Sequence, residues 1–142
     1  MDELIEKIRK MTQKHQRPGD SVPLLPGFSV FSSPASTCPI QSLYQPMFCV
    51  VVQGAKEVMI GEHQLRYGRG ACFVGSVELP VTARIVEASA ERPYIALTMM
   101  LDLDKVATLA AEFPTMASGA GDGPGFGVRA VTEGLLEPWL RL

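Results

Sequence analysis

Residues able to do chemistry are few in this sequence, and they are widely spaced. The histidines are His15 and His63. His15 ends a charged N-terminal stretch and His63 falls in an expected hairpin turn, so both read as surface residues rather than bases or metal ligands. The cysteines, Cys38, Cys49 and Cys72, form no CxxC pair and no zinc-ligand spacing. Cys49 and Cys72 lie inside apolar runs, where cysteine behaves as a small buried hydrophobe. No Gly-x-Ser-x-Gly elbow, His-Glu-x-x-His or phosphate-cradling glycine loop is present. Two chemical options remain. Glu78 or Glu87 with Tyr94 could serve acid–base catalysis, because a carboxylate inside an apolar barrel keeps its proton longer and can act near neutrality. Cys49 or Cys72 could serve as a redox- or aldehyde-responsive thiol, which needs exposure and a nearby cation.

The elements that must position these groups follow from composition and periodicity. The chain has 142 residues, 46% hydrophobic and 20% charged, with a formal net charge of −2. That length supports one domain with a real core. The balanced charge gives no clustered positive surface for nucleic acid. No apolar run approaches the length of a membrane span, and MDELIEKIRK lacks the apolar core of a secretory signal. The expected compartment is therefore the cytoplasm, with no membrane association.

Leu4, Ile5, Ile8 and Met11 recur at helical spacing, so residues 2–15 are expected to form an amphipathic helix, stopped at Arg17-Pro18-Gly19-Asp20. The Pro- and Ser-rich stretch from Ser21 to Gln45 is expected to wrap the surface, with one short strand at Phe28–Phe31. FCVVVQG, ending at Gly54, reads as a strand covered on both faces. Further strands are expected over 57–60, 64–67, 71–74, 80–87 and 94–101, separated by glycine turns. In the 80–87 segment, Val81, Ala83 and Ile85 share one side, and Thr82, Arg84 and Glu87 the other. Many short strands with glycine turns point to a barrel or sandwich. LDLDKVATLAAEF reads as a helix capped by Asp102. The glycine-rich segment 114–131 reads as a flexible loop, and 132–142 as the start of a final amphipathic helix bearing Leu135, Leu136, Trp139 and Leu140.

A small barrel between helices is similar in outline to the cupin superfamily, whose metal-binding members carry G-x5-H-x-H-x3,4-E-x6-G. Counted back from Gly54, the glutamate position falls on Met47 and the histidine positions on Gln41 and Leu43, or on Ile40 and Ser42. Counted from Gly70, the histidine of the second cupin motif falls on Val81. No imidazole or carboxylate ligand stands at these positions, so no metal or other cofactor is expected.

A closer resemblance rests on several linked motifs in order. These are Pro46, an apolar strand, Gln53-Gly54-Ala55-Lys56, Gly61, Tyr67 to Gly70, Leu79-Pro80-Val81, Ala88-Ser89 and Pro93-Tyr94. Together they make the stretch Tyr44 to Asp102 resemble the N-terminal domain of AraC-type bacterial transcriptional regulators. The upstream VPLLPGFSVF is similar to that family's opening. The resemblance implies a mainly β, cupin-like barrel (a double-stranded β-helix) with an N-terminal helix and one or two C-terminal helices. It implies residues 1–113 as the sensory domain and 132–142 as the beginning of a truncated linker or dimerisation helix. It further implies a small-molecule effector in the barrel, a homodimer rather than an enzyme, and DNA binding only through a C-terminal helix-turn-helix domain absent from this chain. Pro138 departs from the pattern, because proline inside the last helix removes a backbone donor. Cys49, Arg84, Glu87, Tyr94 and Met99 lie on central strands and are the candidate ligand contacts. Gln53 and Lys56 are read as satisfying backbone and carboxylate partners, and Tyr94 also as a plug at one end of the barrel. The competing readings are a metal-free cupin enzyme of the isomerase kind and the thiol-based sensor.

Overall fold

A computed structural model describes Asp2, Glu3, Glu6, Lys7, Lys10, residues 21–112 and residues 125–130. Ten strands and one helix appear among them. In chain order they are β1 (Ser21–Leu25), β2 (Phe28–Ser33), β3 (Ile40–Tyr44), β4 (Met47–Gln53), β5 (Ala55–Ile60), β6 (His63–Gly68), β7 (Ala71–Gly75), β8 (Leu79–Glu87), β9 (Tyr94–Met100), α1 (Leu103–Glu112) and β10 (Phe126–Ala130). They build two antiparallel sheets. One has the order β1-β2-β9-β4-β7-β10 and the other β3-β8-β5-β6.

Strand alternation assigns each side chain a face. In the six-stranded sheet, Cys49 stands opposite Phe73 and Thr98, and Val51 opposite Ala71 and Ala96. In the four-stranded sheet, Val58 stands between Leu65 and Ala83, and Lys56 between Tyr67 and Ile85. These inward residues form the principal core with Tyr94, Phe31 and Tyr44. Phe73 lies at its centre, fully buried, with its ring against Tyr44, Tyr67 and Phe126. A second core lies on the far face of the six-stranded sheet, where Val30, Val50, Val52, Cys72, Ile95 and Leu97 are buried. Strand β4 is therefore buried at every residue, as its unbroken apolar run predicts. Burying each such side chain contributes about 1.5–3 kcal/mol.

The chain passes from one sheet to the other at Gly54. Its φ is +82°, and a Cβ there would meet the Glu87 carbonyl oxygen at 2.5 Å and the Tyr94 Cα at 3.0 Å. Only glycine fits this corner, because two backbone segments press on it and the dihedral itself disfavours other residues. Gly61 in the β5–β6 turn also has positive φ, at +59°, but open space around it.

Several expectations need correction. The Pro/Ser-rich segment holds three strands rather than one. β3 is almost wholly exposed, so it lacks the apolar alternation that marks a strand, and it is held by backbone pairing to β8. β1 pairs with β2 as a hairpin. Part of the expected flexible loop is strand β10, which pairs with β7 from Phe126↔Gly75 to Ala130↔Ala71. Its glycines hide it from side-chain patterning, while Phe126 and Val128 pack on the principal core. The Ser76 amide and hydroxyl both donate to the Gly125 carbonyl, at 2.8 and 3.1 Å, and fix its entry. α1 begins where expected, because Asp102 Oδ1 accepts the amides of Asp104 and Lys105 at 3.1 and 3.3 Å. Asp2, Glu3, Glu6, Lys7 and Lys10 have helical backbone. The rest of the expected N-terminal helix, and all of the expected helix over 132–142, lie outside the described residues.

The contrast between the two glycines is testable by chemical denaturation. Gly61→Ala should cost about 1–2 kcal/mol, the price of a left-handed backbone alone. Gly54→Ala should cost clearly more, or prevent folding, because strain and collision add.

Candidate functional site

Between the two sheets lies a cavity of about 350 Å³. Each wall comes from a sheet whose alternation turns the relevant side chains inward. β3 supplies Ile40, Ser42 and Tyr44, and β5 supplies Lys56. β4 supplies Met47 and Cys49, β9 supplies Tyr94, Ala96 and Thr98, and Phe31 closes the side formed by β2. The exposed Ile40 lies at the rim. Beside it, the Thr37 amide donates to the Ile85 carbonyl at 3.1 Å, and the Ile85 amide donates to Thr37 Oγ1 at 3.0 Å. This pair of bonds pins the segment between β2 and β3 across the edge of β8.

The polar lining of this apolar space is unusual in what it leaves unpaired. The chain's three tyrosines are Tyr44, Tyr67 and Tyr94. All three hydroxyl oxygens are buried without a hydrogen-bond partner among the described residues. Tyr44 and Tyr94 line the cavity, and Tyr67 lies behind Cys49, its hydroxyl near the thiol. A buried polar group left unpaired costs about 1–3 kcal/mol. The Lys56 ammonium lies 5.2 Å from the centre of the Tyr44 ring. Among the described residues Lys56 forms no salt bridge, so the expected carboxylate partner is absent. Gln53, by contrast, is satisfied as expected, since its Nε2 donates to the Pro93 carbonyl at 2.8 Å.

Burial pushes the Cys49 thiol up, against the opposing pull of the Lys56 charge and the nearby Thr98 and Tyr67 hydroxyls. It also holds the Tyr67 and Tyr94 phenols well above their ordinary range, with Cys49 adding to both. Near neutral pH all three groups therefore keep their protons. They are hydrogen-bond donors, and Cys49 is a poor nucleophile.

The candidate contacts separate as follows. Cys49 and Tyr94 are brought together in the cavity. Arg84 borders it, but its guanidinium is held on the other face of β8 by Glu57, with Nε and Nη2 at 3.0 and 2.9 Å from Oε1. Glu87 is exposed and belongs to a different depression, formed with Gln53, Arg69, Ser89 and Arg92. Met99 lies apart from the cavity. It packs in the second core beside Leu97, on the far side of the six-stranded sheet, because Tyr94, Ala96 and Thr98 take the inward positions of β9. Glu78 is exposed too, so neither carboxylate joins Tyr94 inside the barrel. His63 packs edge-on against Phe126 at 5.3 Å. Cys72 is buried in the second core and Cys38 is exposed. Among the described residues no group of His, Cys, Asp or Glu could hold a metal ion. No helix there is long and apolar enough to cross a membrane. Sequence reasoning missed Lys56, Tyr44 and Ser42 as cavity residues. The signal for Lys56 was its place two residues before Val58 on a strand whose inward face is apolar.

Comparison with known proteins gives one family. The profile described as AraC-type transcriptional regulator N-terminus matches residues 24–142. No curated protein matches the chain. Solved structures similar to the chain include the following three. One is a cupin-2 domain-containing protein from Shewanella frigidimarina, with TM-score 0.47 and 7% identity, covering 66% of this chain and 92% of that one. Another is KdgF from Halomonas sp., with TM-score 0.35 and 21% identity, covering 61% and 90%. The third is a variant of oxalate decarboxylase from B. subtilis, with TM-score 0.37 and 14% identity, covering 86% and 41%.

Two outcomes follow from the buried phenols and thiol. Tyr94→Phe removes an unpaired hydroxyl without opening space, so urea unfolding should show no loss, or a gain of up to about 1 kcal/mol. Because the native chain holds the Cys49, Tyr67 and Tyr94 protons more tightly than the unfolded chain, their contribution is fully present below the ordinary cysteine value of 9.0. It is lost as pH rises through the elevated native values, so the urea midpoint should fall above that pH, and less steeply in Tyr94→Phe.

Proposed function

The chain belongs to the family of AraC-type transcriptional regulator N-termini, and from that premise we propose that it senses a small organic effector in the cavity between its sheets. Occupancy of the cavity controls a DNA-binding helix-turn-helix domain that these residues do not form, and the sensing unit works as a homodimer in the bacterial cytoplasm. The observation that carries this reading is a partly open, mostly apolar space lined by Tyr44 and Tyr94, whose buried hydroxyls have no partner among the described residues. Apolar walls with a few convergent polar groups are what small-molecule recognition requires. Tyr94 and Cys49 are the proposed ligand contacts from the sequence, joined by Tyr44 and Thr98. Arg84 borders the space with its guanidinium held by Glu57, while Glu87 and Met99 lie apart from it.

The reading is distinct from catalysis. A sensor needs a site that binds and reports, not one that turns over, and the cavity offers donors without a carboxylate base.

A library of small metabolites screened by thermal unfolding tests it. A ligand at a hundredfold excess over its Kd should add about 2.7 kcal/mol and raise Tm by several degrees. The same ligand should lose most of that effect in the Tyr44→Phe/Tyr94→Phe double variant. No hit from a broad library, or hits unaffected by both substitutions, would overturn the proposal.

A further inference from the structure

Resting on the sensing role proposed above, we infer that the cavity selects anionic ligands, small carboxylates with an apolar body, and that Lys56 is the residue that reads the charge. The inference comes from the sign of everything that faces the space. Among the described residues no Asp or Glu lines it. The charged lining residues are Lys56 and Arg84, and Arg84 is already committed to Glu57 on the other face of β8. Lys56 lines the space, half-buried, with the Tyr44 ring beneath its ammonium and no salt bridge among the described residues. A cation on an aromatic face keeps part of its hydration need unmet, and this contact leaves its other donors free for an anion.

The neutral groups point the same way. Tyr44 and Tyr94 line the space and carry hydroxyls with no partner among the described residues, while Cys49 and Thr98 add a thiol and a hydroxyl. A carboxylate has two oxygens and no donor, so it matches one ammonium and two phenols without leaving a new unpaired group. A cationic ligand would meet Lys56 as a like charge, and an amide would bring donors into a space already rich in them. The walls supplied by Phe31, Met47, Ile85 and Ala96 suit an apolar remainder, and the cavity volume limits it to a molecule of metabolite size.

The test uses matched pairs. Hexanoate, phenylacetate and 3-phenylpropionate are each compared with their own amide, by calorimetry and thermal unfolding of the 142-residue chain. At least one acid should bind roughly tenfold or more tightly than its amide, the scale of one charge-assisted hydrogen bond. That preference should weaken as salt rises, vanish in Lys56→Met and survive in Lys56→Arg. Circular dichroism and the unaltered binding of a neutral analogue by Lys56→Met show that the variant is folded. If amides bind as well as acids, or if the preference persists in Lys56→Met, the charge inference falls while the cavity remains a ligand site. If no acid, no amide and no library compound binds, both fall together.

Discussion

Hiding phenol hydroxyls from water without giving them acceptors is the constraint on which the rest of this structure depends. Tyr44, Tyr67 and Tyr94 are all in that position, and all between the same two sheets. An arrangement of this kind persists only if the scaffold around it is over-determined. The six-stranded sheet meets that need by being buried on both faces at β4 and β9, so that Val50, Val51, Val52, Ile95 and Leu97 have almost no contact with water. The apolar gain from such strands offsets a polar cost that no hydrogen bond among the described residues relieves.

The corner at Gly54 ties this scaffold to the cavity. The backbone there lies between the Glu87 carbonyl and Tyr94, which sets the end of β8, the start of β9 and the crossing from β4 to β5 in one close contact. Lys56 follows two residues later, directed inward by the register with Tyr67 and Ile85. One tight turn thus fixes a phenol and an ammonium relative to each other. The Gln53-Gly54-Ala55-Lys56 motif combines a buried amide bonded to Pro93, a residue that must lack Cβ, and a cation that lines the cavity.

Much of the fold was legible because side-chain periodicity and burial coincide. β4 announces itself by an unbroken apolar run, β8 by Val81, Ala83 and Ile85, and α1 by its Asp102 cap. Of the elements that escaped, β1, β3 and β10, the strand β3 exposes most of its side chains and is held by backbone pairing to β8. The site was legible only in part. Tyr94 and Met99 are five residues apart on one strand, an odd interval that places them on opposite faces of a regular sheet, so the sequence alone already excluded their sharing a cavity. Arg84 alternates with the apolar side of β8 in the same way. Lys56 was hidden for a different reason. A lysine on a strand usually points to water or finds a carboxylate, although regular alternation puts Lys56 on the same face as Val58 and Ile60.

The central claim is that the unpaired phenols mark the place where a ligand binds. Because the chain has three tyrosines, carbon-13 labelling of the tyrosine ζ carbon gives a three-line NMR spectrum that reports each hydroxyl directly. On titrating a compound that raises Tm, the account predicts large shifts at Tyr44 and Tyr94, a smaller one at Tyr67 behind Cys49, and loss of the first two effects together when either lining phenol is replaced by phenylalanine. Binding that leaves the Tyr44 and Tyr94 lines unmoved would contradict it, and would locate recognition outside the space between the sheets.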